Sequence, residues 1–223
     1  MPKSYAIRSI NGSGPQRSFS VPVQQTVMEG DETHNTEYKL AQQSFINNVD
    51  RYLASHELLI RKFGRANGHS FNQYYEPHRF PFFHIYDRNL ILLASNKRVV
   101  RSFLEVSKLS QQWPAVKIDY NAIAPLLPTI TGAWFCELNL AYVKAAGYYG
   151  QHVDKSDDFK RAAGLGSVSV LYINTTGDDG NEYRVGITSE GAIVLSKNME
   201  LEEDEIRLVM SVYDKYIAPT LGF

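Results

Sequence analysis

The residues that most constrain the fold are 167–196, where three apolar segments alternate with short turns. The segments read SVSVLYIN, NEYRVGIT and GAIVLS, and the turns between them are rich in glycine and acidic residues. Segments of this length that contain β-branched and aromatic residues and are bounded by turn formers are typical of strands joined by hairpins. This part of the sequence therefore predicts a three-stranded antiparallel meander.

A second hairpin is predicted within residues 76–94, which begin EPHRFPFFHIYDRNL. The apolar segments 82–86 and 90–94 are separated by Asp-Arg-Asn. A three-residue hairpin loop often needs a left-handed residue near its end, and asparagine tolerates that conformation better than most residues. Two further strands are predicted within 131–150, where the turn between them is poorly marked.

A long helix is predicted over residues 36–63, because apolar residues recur there at spacings of three and four. Asn35 would cap its start, and Gly64 would end it. His56 lies on the apolar stripe, so we expect a core histidine with satisfied hydrogen bonds rather than a metal ligand. The stripe consists of Phe45, Val49, Tyr52, His56, Ile60 and Phe63.

Three shorter helices are predicted further along the chain. Residues 96–112 carry an apolar stripe and precede Pro114, which stops a helix. Ser156 would cap a helix that Gly164 closes. Residues 199–217 begin with a run of acidic side chains, which favour the positive end of a helix dipole.

The predicted architecture is α+β: a mostly antiparallel sheet flanked by about four helices, with an N-terminal arm and the long helix. The expected divisions are an arm or marginal hairpin over 1–35, the long helix and a loop over 36–75, and a compact α+β domain over 76–223. The hairpin would pair residues 4–10 with 17–23. One domain throughout is the alternative, since 223 residues fit either one large domain or two small ones.

Charge and cysteine content narrow the class of protein. The chain has 23 Lys and Arg against 24 Asp and Glu, so a nucleic-acid site would need a local cluster of cations. A single cysteine cannot form an internal disulfide, which favours a reducing compartment. The N-terminus lacks the apolar core of a signal peptide, and the longest apolar runs are too short to span a bilayer. A soluble, cytoplasmic protein without membrane association is expected.

The segment 61–101 mixes positive charge with aromatic rings and is the strongest candidate binding site. Single-stranded nucleic acid binds such mixtures, because bases stack on rings and phosphates pair with cations. An acidic protein partner would fit the same charges, and a solvated helix end beside a half-buried aromatic loop would give the same pattern without any ligand. The candidate residues are Arg61, Lys62, Arg65, Tyr74, Tyr75, Arg79, Arg88, Lys97, Arg98 and Arg101.

Catalytic and metal sites are weakly indicated. A catalytic zinc needs about three converging protein ligands, and the sequence has no HExxH motif and no cysteine pair. Cys136 lies in an apolar run typical of a buried thiol. A nuclease site would require Asp119 or Glu137 together with Lys144. The side chains available for a metal are His69, Glu76, His78, His84 and His152. We therefore expect no metal and no cofactor, and the sequence locates no catalytic residue.

The sequence favours a non-catalytic interaction or regulatory protein that binds a macromolecular partner. A protein partner is the leading expectation, because no catalytic motif is present and arms that order on a partner are common in such proteins. Nucleic-acid binding through residues 61–101, with an unlocated nuclease site, is the alternative. A metal-dependent hydrolase is the second alternative, and association into a homo-oligomer stays open.

Overall fold

The computed structural model describes residues 2–27, 30–66 and 68–221. In this described part of the chain, strands account for 44% and helical segments for 25%, with four helices. The strand pairs described below are all antiparallel, which confirms the predicted α+β class with a mostly antiparallel sheet.

The chain forms two compact units. The N-terminal unit comprises Ala6–Pro114, and the C-terminal unit comprises Ala115–Phe223 together with Met1–Tyr5. Strand β1, Lys3–Ser9, crosses this division along the chain. The domain boundaries predicted after residues 35 and 75 remain predictions. Residue 35 lies within the strand Gly30–Ile46, and residue 75 lies within the strand Tyr74–Ile85.

In the described residues, the N-terminal unit consists of strands followed by helix α1. After β1, its elements are β2 Ser18–Val27, β3 Gly30–Ile46, β4 Val49–Ile60, β5 Gly64–Ala66, β6 His69–Phe71, β7 Tyr74–Ile85, β8 Leu90–Ala94 and α1 Lys97–Val106. The sheet neighbours are ordered β8-β7-β4-β3-β2. Strands β5 and β6 pair with each other as a separate two-stranded ribbon between β4 and β7.

The long helix predicted over 36–63 is wrong, because these residues form most of β3 and all of β4. Residues 52, 56 and 60 are four apart, which suits one face of a helix, but they are also an even number apart, which suits one face of a strand. The side chains of Tyr52, Ala54, His56 and Leu58 are all buried. Burial of every second side chain is the pattern of a strand. Hydrogen bonding of β4 to β3 on one side and to β7 on the other shows that the segment is a strand and not a helix.

The hairpin predicted to pair residues 4–10 with 17–23 is also wrong. Strand β2 pairs with β3 from Ser18↔Lys39 to Val27↔Gly30, and among the described strands it neighbours β3 only. In β1, Tyr5 is fully buried, so this strand is part of a folded core. Residues 1, 28 and 29 of the predicted arm lie outside the described residues.

The hairpin predicted within 76–94 is confirmed, since β7 pairs with β8. Tyr86–Arg88 form one 3-10 turn, and Asn89 takes the left-handed conformation with a φ of 52°. Helix α1 lies inside the predicted range 96–112 but is shorter. The Asn96 side chain caps it by accepting a hydrogen bond from the Val99 amide at 3.0 Å.

The core of the N-terminal unit lies between α1 and one face of its sheet. Its centre is aromatic: Phe82 stacks on Tyr52 with ring centroids 4.7 Å apart and also contacts Trp113. Phe80 meets Phe103 of α1 edge to face at 5.4 Å. Burial of such large rings accounts for much of the stabilisation of the unit.

The C-terminal unit repeats the combination of a meander and helices. Its elements are α2 Tyr120–Ile123, β9 Ile130–Cys136, β10 Ala146–Tyr149, α3 Asp157–Leu165, β11 Ser167–Thr176, β12 Glu182–Thr188, β13 Ala192–Leu195 and α4 Glu202–Val212. The sheet neighbours are ordered β10-β9-β11-β12-β13. The meander predicted over 167–196 and the two strands predicted within 131–150 are therefore confirmed. Ser156 caps α3 as predicted, although the helix passes Gly164 by one residue.

Candidate nucleic-acid interface

The end of the β4–β7 pair carries the densest group of predicted binding residues. These two strands pair from Val49↔Ile85 to Ile60↔Tyr74, and beyond Ile60 the chain continues into the β5–β6 ribbon. We call this end the basic tip and define it as Arg61, Lys62, Phe63, Arg65, Tyr74 and Arg98.

The charge of the basic tip follows from an uninterrupted stretch of sequence. From Leu58 to Tyr75 the chain contains three basic residues, one histidine and no acidic residue. Arg61, Lys62 and Arg65 are all exposed. With no carboxylate among their chain neighbours, their positive charges reinforce one another in solvent and attract an anion.

The aromatic side chains of the tip present apolar area to solvent. Phe63 is 75% exposed and Tyr74 is 37% exposed. Phe71 meets Tyr74 edge to face at 6.0 Å, and its ring lies so close to Gly64 that a Cβ atom there would overlap it. Glycine at position 64 therefore lets Phe71 pack on the ribbon beside Tyr74.

Helix α1 adds a fourth cation to the tip. The Arg98 guanidinium Nη2 donates to the Leu59 carbonyl at 3.4 Å, which holds the first turn of α1 beside the end of β4. Lys97 is exposed one residue earlier in the same turn. Arg98 lies 37 residues from Arg61 along the chain, so tertiary packing supplies this part of the cluster.

The remaining predicted cations lie away from the tip or have carboxylate partners. Arg79 is five residues further along β7 than Tyr74, about 16 Å at the usual strand rise, and it lines a cavity of about 580 Å³. Arg88 is at the opposite end of β7 and donates to Asp87 at 2.6 Å. Arg101 donates to Glu105 one turn along α1 at 2.8 Å.

Tyr75 is half-buried beside the tip rather than presented by it. Burial, with a smaller contribution from the Glu57 carboxylate, raises its pKa. The ten predicted residues thus separate into those at or beside the tip, Lys97 and Arg101 on α1, and two arginines elsewhere on β7 and its turn.

His56 is buried within the N-terminal unit. It is 1% exposed, its Nδ1 lies 2.8 Å from Thr36 Oγ1, and its Nε2 lies 2.9 Å from Ser102 Oγ. Burial, with a smaller contribution from the nearby His78, lowers its pKa to about 4. Since both ring nitrogens have partners, His56 is a satisfied core histidine, as predicted, although on a strand rather than a helix.

Two further histidines, His78 and His84, lie on β7 of the β7–β8 hairpin. His78 Nε2 lies 3.4 Å from a Glu76 carboxylate oxygen. The His84 ring packs against Tyr86 at 4.4 Å, and burial lowers the pKa of His84. Among the described residues, no group of three or more His, Cys, Asp or Glu side chains is arranged to hold a metal ion.

Cys136 is partly buried at the end of β9. Its Sγ donates to the Ser167 carbonyl across the β9–β11 pair at 3.6 Å. This environment accounts for the thiol as a packed sheet residue.

Sequence reasoning missed the buried carboxylate of Glu205, which was grouped with the acidic first turn of the last helix. Its side chain accepts hydrogen bonds from the Tyr5 hydroxyl at 2.6 Å, the Lys3 ammonium at 2.5 Å and the Met199 amide at 3.1 Å. A signal was present, because Glu205 precedes the buried Val209 by four residues and so lies on the apolar face of α4.

Comparison with known proteins gives no family for the chain: no family model matches it, and no curated protein matches its sequence. Within residues 2–27, 30–66 and 68–221, no helix combines the length and apolarity needed to cross a membrane.

Proposed function

We propose that the protein binds single-stranded nucleic acid through the basic tip, without catalysing a reaction. The observation that carries the proposal is the presence of exposed Phe63 and Tyr74 among cations, on a stretch with no acidic residue. Phosphates would pair with Arg61, Lys62 and Arg65, and unpaired bases would stack on the two rings.

A protein partner, the leading expectation from the sequence, is the competing proposal. An acidic protein surface would satisfy the same cations, but charge alone gives no role to an aromatic ring as exposed as Phe63. Bases offer a π-face together with a phosphate at every nucleotide, so they use both components of the tip. This difference favours nucleic acid.

The first experiment measures fluorescence anisotropy of a labelled single-stranded oligo(dT) against the full-length protein between about 50 and 200 mM salt. The test variant is the triple substitution Arg61→Glu, Lys62→Glu, Arg65→Glu. The matched control is Lys155→Glu, Lys160→Glu, Arg161→Glu, which changes net charge equally but lies around α3 of the other unit.

We expect the tip variant to lose binding and to reduce the slope of log K against log salt by about 2, because each single-strand phosphate contact contributes about 0.7. The control should keep the slope of the unmodified protein. Equal losses in both variants, or an unchanged affinity in the tip variant, would exclude the basic tip. A protein captured from cell extract despite nuclease treatment, with no oligonucleotide binding, would establish the competing proposal instead.

A further inference from the structure

One face of the sheet in the C-terminal unit carries four planar side chains on four neighbouring strands. They are Trp134 on β9, Tyr149 on β10, Tyr172 on β11 and Arg184 on β12. We call this surface the planar face. The alternate residues Ala133 and Phe135 point to the opposite side, where Phe135 packs edge to face on Phe159 of α3 at 5.1 Å.

Cross-strand glycines let these side chains lie flat on the sheet. Gly147 is paired with Trp134, and a Cβ atom on this glycine would be 2.7 Å from Trp134 Cε3. Gly186 is paired with Tyr172 in the same way, with its added Cβ 2.9 Å from the ring. Since real Cβ atoms do not approach so closely, each ring occupies the space above a glycine backbone.

The third glycine lies under an aromatic ring and a guanidinium together. An added Cβ on Gly132 would be 2.9 Å from Tyr149 Cδ1 and 2.6 Å from Arg184 Nη2. The Arg184 guanidinium carbon is 4.9 Å from the centroid of Tyr149 and 4.7 Å from that of Tyr172. Arg184 therefore joins the two tyrosines in one cation–π group.

Two of these rings are exposed to solvent. Trp134 is 43% exposed and Tyr149 is 58% exposed. Covering of glycines by aromatic residues stabilises strands, and this accounts for the pairing of ring with glycine. It does not require the outer π-faces to stay exposed, and large aromatic rings left in solvent commonly mark a binding surface.

Arg184 makes little use of its donors within the sheet. Its Nη2 lies 3.5 Å from the Thr131 carbonyl, and its Nε is buried with no hydrogen-bond partner among the described residues. A guanidinium has five N–H donors and stays charged, so the remaining donors can bind an anion beside the stacked rings.

We propose that the planar face is a second contact surface for single-stranded nucleic acid, on which bases stack on Trp134 and Tyr149 while Arg184 binds a phosphate. Flat rings with free π-faces suit planar bases of any sequence, and the positive charge suits the backbone. The inference rests on the proposed nucleic-acid function, and it adds a site that is built wholly within the C-terminal unit.

The test uses the intrinsic fluorescence of the full-length protein during titration with unlabelled oligo(dT) and with an abasic oligonucleotide of equal length. The chain has two tryptophans, and Trp113 is buried at 1% exposure, so quenching on base stacking reports Trp134. The test variant is Trp134→Ala with Tyr149→Ala. Its control is Tyr142→Ala, which removes a 98% exposed tyrosine outside the planar face in the same unit.

We expect oligo(dT), but not the abasic strand, to quench Trp134 in the unmodified protein. Measured by the anisotropy of labelled oligo(dT), the test variant should bind at least tenfold more weakly with an unchanged salt slope. Trp134→Phe should retain most of the affinity, because it keeps a stacking ring, and Tyr142→Ala should bind normally. Thermal unfolding of each variant checks that the fold is intact.

The outcomes separate this inference from the proposed tip. Normal binding by Trp134→Ala, Tyr149→Ala, alongside lost binding by the tip variant, would overturn the planar face and leave the tip in place. Lost binding by the planar-face variant with a normal tip variant would support the face and exclude the tip. Absence of any oligonucleotide binding would overturn both.

Discussion

The carboxylate of Glu205 and the imidazole of His56 are both buried, and each makes hydrogen bonds with residues far away in sequence. Buried polar groups contribute through the cost of leaving partners unsatisfied, more than through the net strength of each bond. Substitution of either residue is therefore expected to change the free energy of unfolding measurably.

Substitution Glu205→Ala is expected to lower the free energy of unfolding by about 2–4 kcal/mol, because it leaves the Tyr5 hydroxyl and the Met199 amide without their acceptor. Urea unfolding measures this loss. Glu203→Ala, on the exposed side of the same helical turn, is the control and should change stability by less than about 1 kcal/mol. Equal effects of the two substitutions would contradict the assigned role of Glu205.

His56 is expected to make stability fall on acidification. Its pKa is 6.5 unfolded and about 4 folded, so between these values the unfolded chain takes up a proton that the folded chain excludes. The contribution is fully present above pH 6.5, and about 3 kcal/mol of it is lost as the pH falls to 4. The measurement is the pH dependence of urea unfolding.

Two variants isolate the contribution of His56 to this pH dependence. His56→Gln should flatten the decline between pH 6.5 and 4, whereas His69→Gln, which replaces an exposed histidine, should leave it unchanged. The same pH dependence in unmodified protein and His56→Gln would show that another group titrates.

At the scale of elements, the C-terminal end of helix α1 shows that local backbone geometry can end a helix before its apolar pattern ends. The Leu109 amide donates to the Leu104 carbonyl at 3.0 Å and the Lys108 amide to Glu105 at 3.2 Å, which together form a Schellman motif. Lys108 has the left-handed φ of 59° that this motif usually assigns to glycine. The helix therefore ends at Val106, although the predicted apolar stripe continues to Leu109.

Substitution Lys108→Gly is expected to raise the free energy of unfolding by about 0.5–1 kcal/mol, because glycine adopts positive φ without the steric cost that lysine bears. The measurement is the midpoint of urea unfolding. Lys108→Ala is the matched control, since it removes the same side chain and keeps the steric cost. A gain in stability from alanine as large as that from glycine would contradict this explanation.

At the scale of the whole molecule, the two units share an order of elements. In each unit the strand pairs described above are antiparallel, and the final hairpin, β7–β8 or β12–β13, precedes a helix, α1 or α4. No sequence repeat marks this likeness, because packing requires the pattern of apolar residues and turns rather than particular residues. Each proposed binding surface is built within one unit.

The sequence by itself determined the elements whose signals are local. Turn residues determined the hairpins, including the left-handed Asn89, and side-chain caps at Asn96 and Ser156 determined two helix starts. These features need only residues a few positions apart, so a single stretch of sequence contains all the physics involved. The cluster of Arg61, Lys62 and Arg65 was predictable for the same reason.

Only the tertiary structure decided the features that depend on pairing across the chain. Residues 49–60 are compatible with a helix or a strand, and hydrogen bonding to β3 and β7 selects the strand. Register places Trp134 opposite Gly147 and Tyr172 opposite Gly186, which no local pattern reveals. Strand register and the burial of Glu205 are set by which distant segments meet, because a sheet satisfies its backbone groups between strands rather than within one.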